Sequence, residues 1–273
     1  VAAKAAELRE KVRGKLLARR FRPRDPHASY VENTAVTPRL RAAMVEEIAR
    51  FRYRPTFSIL VPIFLDAKKR IGPKWLDRAI QSVREQVYPH WELCLADDAS
   101  TDPEVRRYLD RLPADPRIAL ARRAANGHIC AATNTAADMA TGEFVALLDH
   151  DDELAPHALF AVAERLQRHP DADLVYSDED KIDAAGRRYD PQFKPDWSPE
   201  LLLSYNYVNH FTVIRRTVFE AAGRFRPGFE GSQDHDLLLR VTERTDRVQH
   251  VPEILYHWRS LPDSTATSGL SAG

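Results

Sequence analysis

Residues 143–154 read EFVALLDHDDEL. An apolar run of strand character ends abruptly in Asp149, Asp151, Asp152 and Glu153, with His150 among them. Carboxylates this close repel one another unless a cation sits between them. Two readings stand: a metal site at the end of a buried strand, or a solvated turn capping the helix that PHALFAVAERLQRH (156–169) predicts. A cap needs one acid, and this stretch holds more than one. Glu153 is assigned a structural role, and Asp152 either caps or binds.

Outward from this stretch the chain alternates. FSILVPIF (57–64), WELCLADD (91–98), RIALARR (117–123) and ADLVYSD (172–178) read as strands. GPKWLDRAIQSVREQ (72–86) reads as a helix with Trp75, Ala79, Ile80 and Val83 on one side, joined by Val87. DPEVRRYLDRL (102–112), started by Asp102 and Pro103, and the Ala-rich HICAATNTAADMA (128–140) supply two more helices. Strands alternating with helices of this length predict an α/β fold, a mostly parallel central sheet with helices on both faces. After residue 180 the pattern loosens. IDAAGRRYD (182–190) predicts a hairpin, PQFKPDWSPE (191–200) a loop, PELLLSY a short helix, HFTVIRR a strand and QDHDLLLRVTERT (233–245) an amphipathic helix. VQHVPEILYHW (248–258) ends in strand character.

The 273 residues are 44% hydrophobic and carry 40 basic against 40 acidic side chains. Zero net charge gives no support for a nucleic-acid partner. Charge is uneven, however: the first 24 residues hold nine Lys or Arg against Glu7 and Glu10. Residues 1–55 are therefore read as a basic helical N-terminal extension, with helices over 1–22 and 38–50, the second capped by Thr37 with Pro38 at its first position. The first is either a surface-packed arm or a basic helix that meets an anionic membrane or a partner. Cys94 and Cys130 sit in apolar contexts, which argues for free thiols in a reducing compartment. No apolar run approaches membrane-spanning length, and no signal peptide is visible. A start at Val1 rather than Met is read as a fragment, with further domains expected in the full-length chain.

In open α/β sheets, ligands bind beyond the carboxyl ends of the strands. Three acidic groups are expected there: Asp97 and Asp98, residues 149–152, and Ser177 to Asp180. Oxygen ligands suit Mg²⁺ or Mn²⁺. The chain has no Walker A, GxGxxG, HExxH or EF-hand pattern, so a nucleotide here would need a cation to meet its phosphates.

These features occur together in an ordered set: SILVPIF, ADDASTD, NGHICAATNTAADMATGEFVALLDHDDELAP, LVYSDEDKID, FKPDWSPELLLSYNYVNH, EGSQDHDLLLR and EILYHWR. The set resembles glycosyltransferase family 2, nucleotide-sugar enzymes of the GT-A fold, over about 57–260. Within that family it most resembles bacterial enzymes that build O-antigen, capsule or rhamnose-rich polysaccharides. The resemblance implies a GT-A catalytic domain at 56–260, with a nucleotide-binding half at 56–152, an acceptor-binding half at 153–260, and a C-terminal tail at 261–273. It implies inverting transfer from a UDP-, dTDP- or GDP-linked sugar to a glycan or lipid-linked glycan, with Mn²⁺ or Mg²⁺ as cofactor; the expected location is the cytoplasm, either free or peripheral at the inner face of the cell membrane.

It also implies roles for single residues. Pro62 and Phe64 pack on the nucleobase, Asp98 hydrogen-bonds it, and Asn126 and Asp149 complete the donor side. Asp151 or Asp152 holds the metal. His257 is a further metal ligand or a packed member of an aromatic cluster, and Arg259 neutralises phosphate or is exposed. Asp234 is the catalytic base, preceded by Gln233, or the N-cap of a helix over 234–244, or both, and a helix N-terminus there is expected to lower its pKa. Trp197, Tyr205 and Asp180 face the acceptor, Trp197 alternatively being core. NGHICA departs from relatives that often carry a Gly pair after the Asn, which bears on donor identity. Two other functions share these features: a Mg²⁺-dependent nucleotidyl or phosphoryl transferase, and a non-catalytic module that binds nucleotide sugar or glycan within a larger enzyme.

Overall fold

The computed structural model describes residues 25–69 and 72–261. The helix expected over 1–22, with its membrane contact, and the tail from 262 on lie outside the described residues. Helix α1 (Pro26–Thr34) belongs to one compact unit, and the chain from Val36 onward belongs to a second. Asp25 caps α1, accepting the His27 N–H at 3.0 Å.

The second unit opens with α2 (Pro38–Arg50), capped as expected by Thr37, whose hydroxyl accepts the Leu40 N–H at 3.2 Å. Strand β1 (Phe57–Ile63) follows, then α3 (Lys74–Arg84), β2 (Trp91–Asp97), α4 (Pro103–Asp110), β3 (Ile118–Arg122), α5 (His128–Ala137) and β4 (Phe144–Leu147). Next come the two-residue β5 (Glu153–Leu154), α6 (Ala158–Arg168), β6 (Leu174–Ile182), β7 (Arg188–Gln192), α7 (Pro199–Ser204), β8 (Thr212–Arg215), α8 (Arg216–Ala221), α9 (Gln233–Thr242) and β9 (Val248–Arg259). Asp102 caps α4 through the Glu104 N–H at 2.8 Å.

Among the described residues all nine strands join one sheet, ordered β3-β2-β1-β4-β8-β6-β9-β5, with β7 on β6. β1–β4, β6 and β9 run one way, and β5, β7 and β8 run the other. β8 separates β4 from β6, so the two expected halves share a single sheet.

Period-two alternation in β1 sends Phe57, Ile59, Val61 and Ile63 to one face, where they meet Leu76, Ile80 and Val83 of α3, Val105 of α4 and Leu159 and Val162 of α6. Leu60 points to the other face, among Cys94, Cys130, Val145, Phe219, Leu237 and Leu238. Each face is thus roofed by helices, as apolar strands between βα units require. Within α3, Leu76 rather than Trp75 is the buried member of the stripe. Trp75 stays half-buried, with the Arg259 guanidinium 4.0 Å above its ring.

Two expectations about caps are corrected. Residues 153–154 pair antiparallel with Tyr256 and His257 as β5, so Asp152 and Glu153 cannot cap the next helix, whose N-cap is His157. Helix α9 begins at Gln233 behind Ser232, which places Asp234 inside its first turn rather than at the cap.

Candidate active site

Parallel pairing of β1 with β2 and β4 aligns their carboxyl ends. A cleft of ≈ 520 Å³ opens there, and Pro62, Phe64, Asp98, Asn126, Asp149 and Asp151 all line it. His128, His150 and Glu230 line it as well. Phe64 is 41% exposed, an aromatic face turned to the opening rather than into the core. Cys94 and Cys130 are free and buried, and burial pushes their thiols up to about 12 and about 11.

Asp98 is buried and held from two sides. Arg123 Nε donates to it at 2.7 Å, and the Gly127 N–H reaches both carboxylate oxygens at 3.0 Å. Arg123 is fixed in turn by Thr135 at 2.7 Å. A Cβ on residue 127 would lie 2.5 Å from Arg123 Nη2, so glycine is what lets this backbone approach the pair. The Asn126 side chain turns back to accept the His128 N–H at 3.1 Å. His128 has φ +64°, the left-handed region where a second glycine would be at ease.

At the end of β4, ligand atoms of Asp149, Asp152 and His210 lie within 4.8 Å of one another. Burial raises the Asp149 carboxyl above its ordinary range, with Asp151 adding to the rise and His210 opposing it. Burial raises Asp152 further, reinforced by Asp151 and Asp149. Asp152 is engaged on both oxygens, accepting the Tyr256 hydroxyl at 2.5 Å and the Arg259 N–H at 2.6 Å. Two carboxylates and an imidazole form a nitrogen–oxygen donor set that fits a divalent cation such as Mn²⁺. Neighbouring carboxylates that add to the rise at Asp149 and Asp152 carry the repulsion that such a cation relieves.

His210 was not singled out in the sequence as a ligand; its only signal was its place in YNYVNH. Its peptide is clamped on both sides. Glu179 accepts the His210 N–H at 3.1 Å, and Lys194, buried and paired with Glu179 at 3.2 Å, donates to the His210 carbonyl. The ring stacks on Tyr256, with centroids 4.4 Å apart.

His257 is not gathered with these ligands. Its Nδ1 lies 2.6 Å from Asp180 Oδ1, and burial lowers its pKa despite that partner. Asp180 is 1% exposed and also receives Arg188 Nε at 2.6 Å. It is therefore closed to an acceptor, contrary to expectation. Ser177 to Asp180 lie within β6, not beyond it. The strand continues through its acids because each has a partner: His250 and the Lys194 N–H for Asp178, Lys194 for Glu179, His257 for Asp180. Arg259 is neither exposed nor open to a phosphate. It is 1% accessible and binds the Asp151 carbonyl at 2.6 Å and Glu153, which Arg78 also holds at 2.7 Å.

Asp234 stands near this cluster, within electrostatic reach of Asp149 and His210. Burial pushes its carboxyl from an ordinary 3.8 up to about 6, overriding the lowering expected from the helix N-terminus. Gln233 Nε2 orients it at 2.9 Å. On the far side, Trp197 packs half-buried on the second core face, while Tyr205 is 55% exposed at the end of α7.

A mixed sheet of this order, with an acid-ended central strand beside a nucleotide-sized cleft, defines a GT-A architecture. The Glycosyl transferase family 2 profile matches residues 58–223. The chain belongs to that family and is a glycosyltransferase domain. The O-antigen biosynthesis protein RfbC of Myxococcus xanthus is 41% identical over 228 residues, 83% of this chain and 18% of that protein. The chain spans a quarter or less of the length of the first curated relatives it matches. Staphylococcus aureus TarS 1–349, solved with UDP-GlcNAc, aligns with a TM-score of 0.60 at 19% identity, over 78% of this chain and 61% of that one. Mannosyltransferase PcManGT from Pyrobaculum calidifontis, in complex with GDP-Man and Mn²⁺, aligns at 0.55 and 20% identity, over 80% and 64%. No helix among the described residues is long and apolar enough to cross a membrane.

Proposed function

We propose that this domain performs metal-dependent, inverting transfer of a sugar from a nucleotide-diphosphate donor to a hydroxyl of a glycan or lipid-linked glycan, in bacterial surface polysaccharide synthesis. The observation that carries the reading is the juxtaposition of Asp234 with the Asp149, Asp152 and His210 cluster, whose Asp149 lines the cleft. Donors of this class are bound by two of the aligned structures, as UDP-GlcNAc and as GDP-Man with Mn²⁺.

Phe64 and Pro62 offer the nucleobase an apolar platform, and Asp98, immobilised by Arg123 and Gly127, presents an acceptor to a base N–H. Mn²⁺ or Mg²⁺ would be held by Asp149, Asp151, Asp152 and His210. When bound it neutralises the donor diphosphate and its charge as a leaving group. Asp151 lines the cleft, its backbone carbonyl held by Arg259, and among the described residues no hydrogen bond engages its carboxylate. Asp234, with a pKa of about 6, is ionised at neutral pH yet basic enough to take the acceptor hydroxyl's proton as that oxygen attacks the anomeric carbon. Attack opposite the departing diphosphate inverts the centre. Tyr205 offers the acceptor sugar a stacking face from residues 153–260.

The chain incubated with nucleotide sugars, Mn²⁺ and a glycan acceptor should release nucleoside diphosphate and extend the acceptor. Pyrophosphate as the product would move the assignment to nucleotidyl transfer, and donor binding without turnover would leave a binding module.

A further inference from the structure

We propose that Tyr256 is the positioning residue of the cation cluster, one phenol that fixes Asp149, Asp152 and His210 relative to one another. All three members touch it. Its hydroxyl accepts the Asp149 N–H at 3.2 Å and donates to Asp152 Oδ2 at 2.5 Å. Its ring lies 4.4 Å from that of His210, at 13° to it.

The tyrosine is itself immovable. It is fully buried, and β9 pairs it with Leu154 of β5 on one side and Glu179 of β6 on the other. Glu179 also holds the His210 N–H, so the strand residue beside Tyr256 fixes the backbone of the histidine whose ring Tyr256 fixes. The hydroxyl ties the Asp149 peptide N–H to the Asp152 carboxylate, which holds the two residues in register before a cation arrives. The expected saving is preorganisation: ligands already placed lose less freedom on binding.

This inference rests on the metal-binding reading above, and its test separates the two. Mn²⁺ binding to the whole chain is measured by calorimetry and by the electron paramagnetic resonance of free Mn²⁺, in wild type and Tyr256→Phe. The unfolding temperature is taken alongside in EDTA. Phe keeps the ring against His210 and removes only the hydroxyl. Mn²⁺ should bind about 10- to 100-fold more weakly, and turnover lost at low Mn²⁺ should recover at high Mn²⁺ while the EDTA unfolding transition stays cooperative. Equal Mn²⁺ affinity in the folded variant overturns the role of Tyr256. No saturable Mn²⁺ binding in wild type overturns the metal reading itself. Should Tyr256→Phe fail to fold, site-specific 3,5-difluorotyrosine at position 256 keeps the ring and hydroxyl but alters the hydrogen bond to Asp152. A Mn²⁺ affinity unmoved by it overturns the proposal equally.

Discussion

Asp234→Asn should make the protein inactive and, at neutral pH, more stable. Burial lifts the Asp234 carboxyl from 3.8 to about 6, and at about 1.4 kcal/mol per pKa unit that gap corresponds to about 3 kcal/mol. Asp234 is only partly buried as a residue, so water screens the charge and an effect of about 1–3 kcal/mol is expected. The sign follows from proton binding. Below about pH 4 both folded and unfolded chains hold the proton, and the aspartate has no penalty. Between about pH 4 and 6 the unfolded chain releases its proton first, so the folded state loses ground. Above about pH 6 the loss is complete. Asn never ionises and escapes it. For a domain of this size the variant should unfold about 2–10 °C higher than wild type at pH 7.5 and at the same temperature at pH 4. Thermal melts in EDTA across that range read both points. A variant that melts with wild type at pH 7.5, or gains equally at pH 4, would refute the burial argument. Transfer should fall by about 10²–10⁴ with donor binding retained, and undiminished turnover would remove Asp234 as the base.

Further expectations follow from the same geometry. Mn²⁺ at 100 times its dissociation constant should stabilise the chain by about 2.7 kcal/mol, and EDTA should abolish both that gain and transfer, as melts and product assays will show. His210→Ala should weaken Mn²⁺ at least about 10-fold by calorimetry, whereas His257→Ala should leave Mn²⁺ affinity nearly unchanged. Arg123→Ala strips the partner from a carboxylate that is 1% exposed, so the urea midpoint should drop by about 1 M, corresponding to about 3 kcal/mol. Phe64→Ala should weaken donor binding by up to about 10-fold in a titration without acceptor, with little change in stability.

The βα units were legible because their signals are local. Apolar runs, Thr37 and Asp102 caps and the Asn126-Gly127 turn each speak for a few residues, and six of the residues assigned from the sequence to donor and metal meet in one cleft. The insertion of β8 between β4 and β6 was not legible, since strand order there depends on pairings between segments far apart in the chain. Residues 177–180 show the same limit. By spacing they look like a strand end rich in acid, yet His250, Lys194 and His257 arrive from later segments and keep the strand going.

His210 and Asp234 mark where local rules yield to tertiary ones. Helix position alone argues for a depressed carboxyl at Asp234, because a partial positive charge favours the anion. Burial beside Asp149 reverses that sign, and the reversal suits a base better than the local rule would. A carboxyl held far below neutrality would be a weak proton acceptor, whereas one at about 6 accepts well while still ionised at pH 7. For His210 the sequence offers an isolated imidazole in a loop, a common core residue. Only the clamp by Glu179 and Lys194 on its peptide, and by Tyr256 on its ring, turns that residue toward Asp149 and Asp152. Those three holders come from β6, the 193–198 loop and β9, and none is within ten residues of His210 in the chain. The local stretch EFVALLDHDDEL supplies the acids, but the imidazole and the phenol that complete the cluster are brought by the distant half of the sheet.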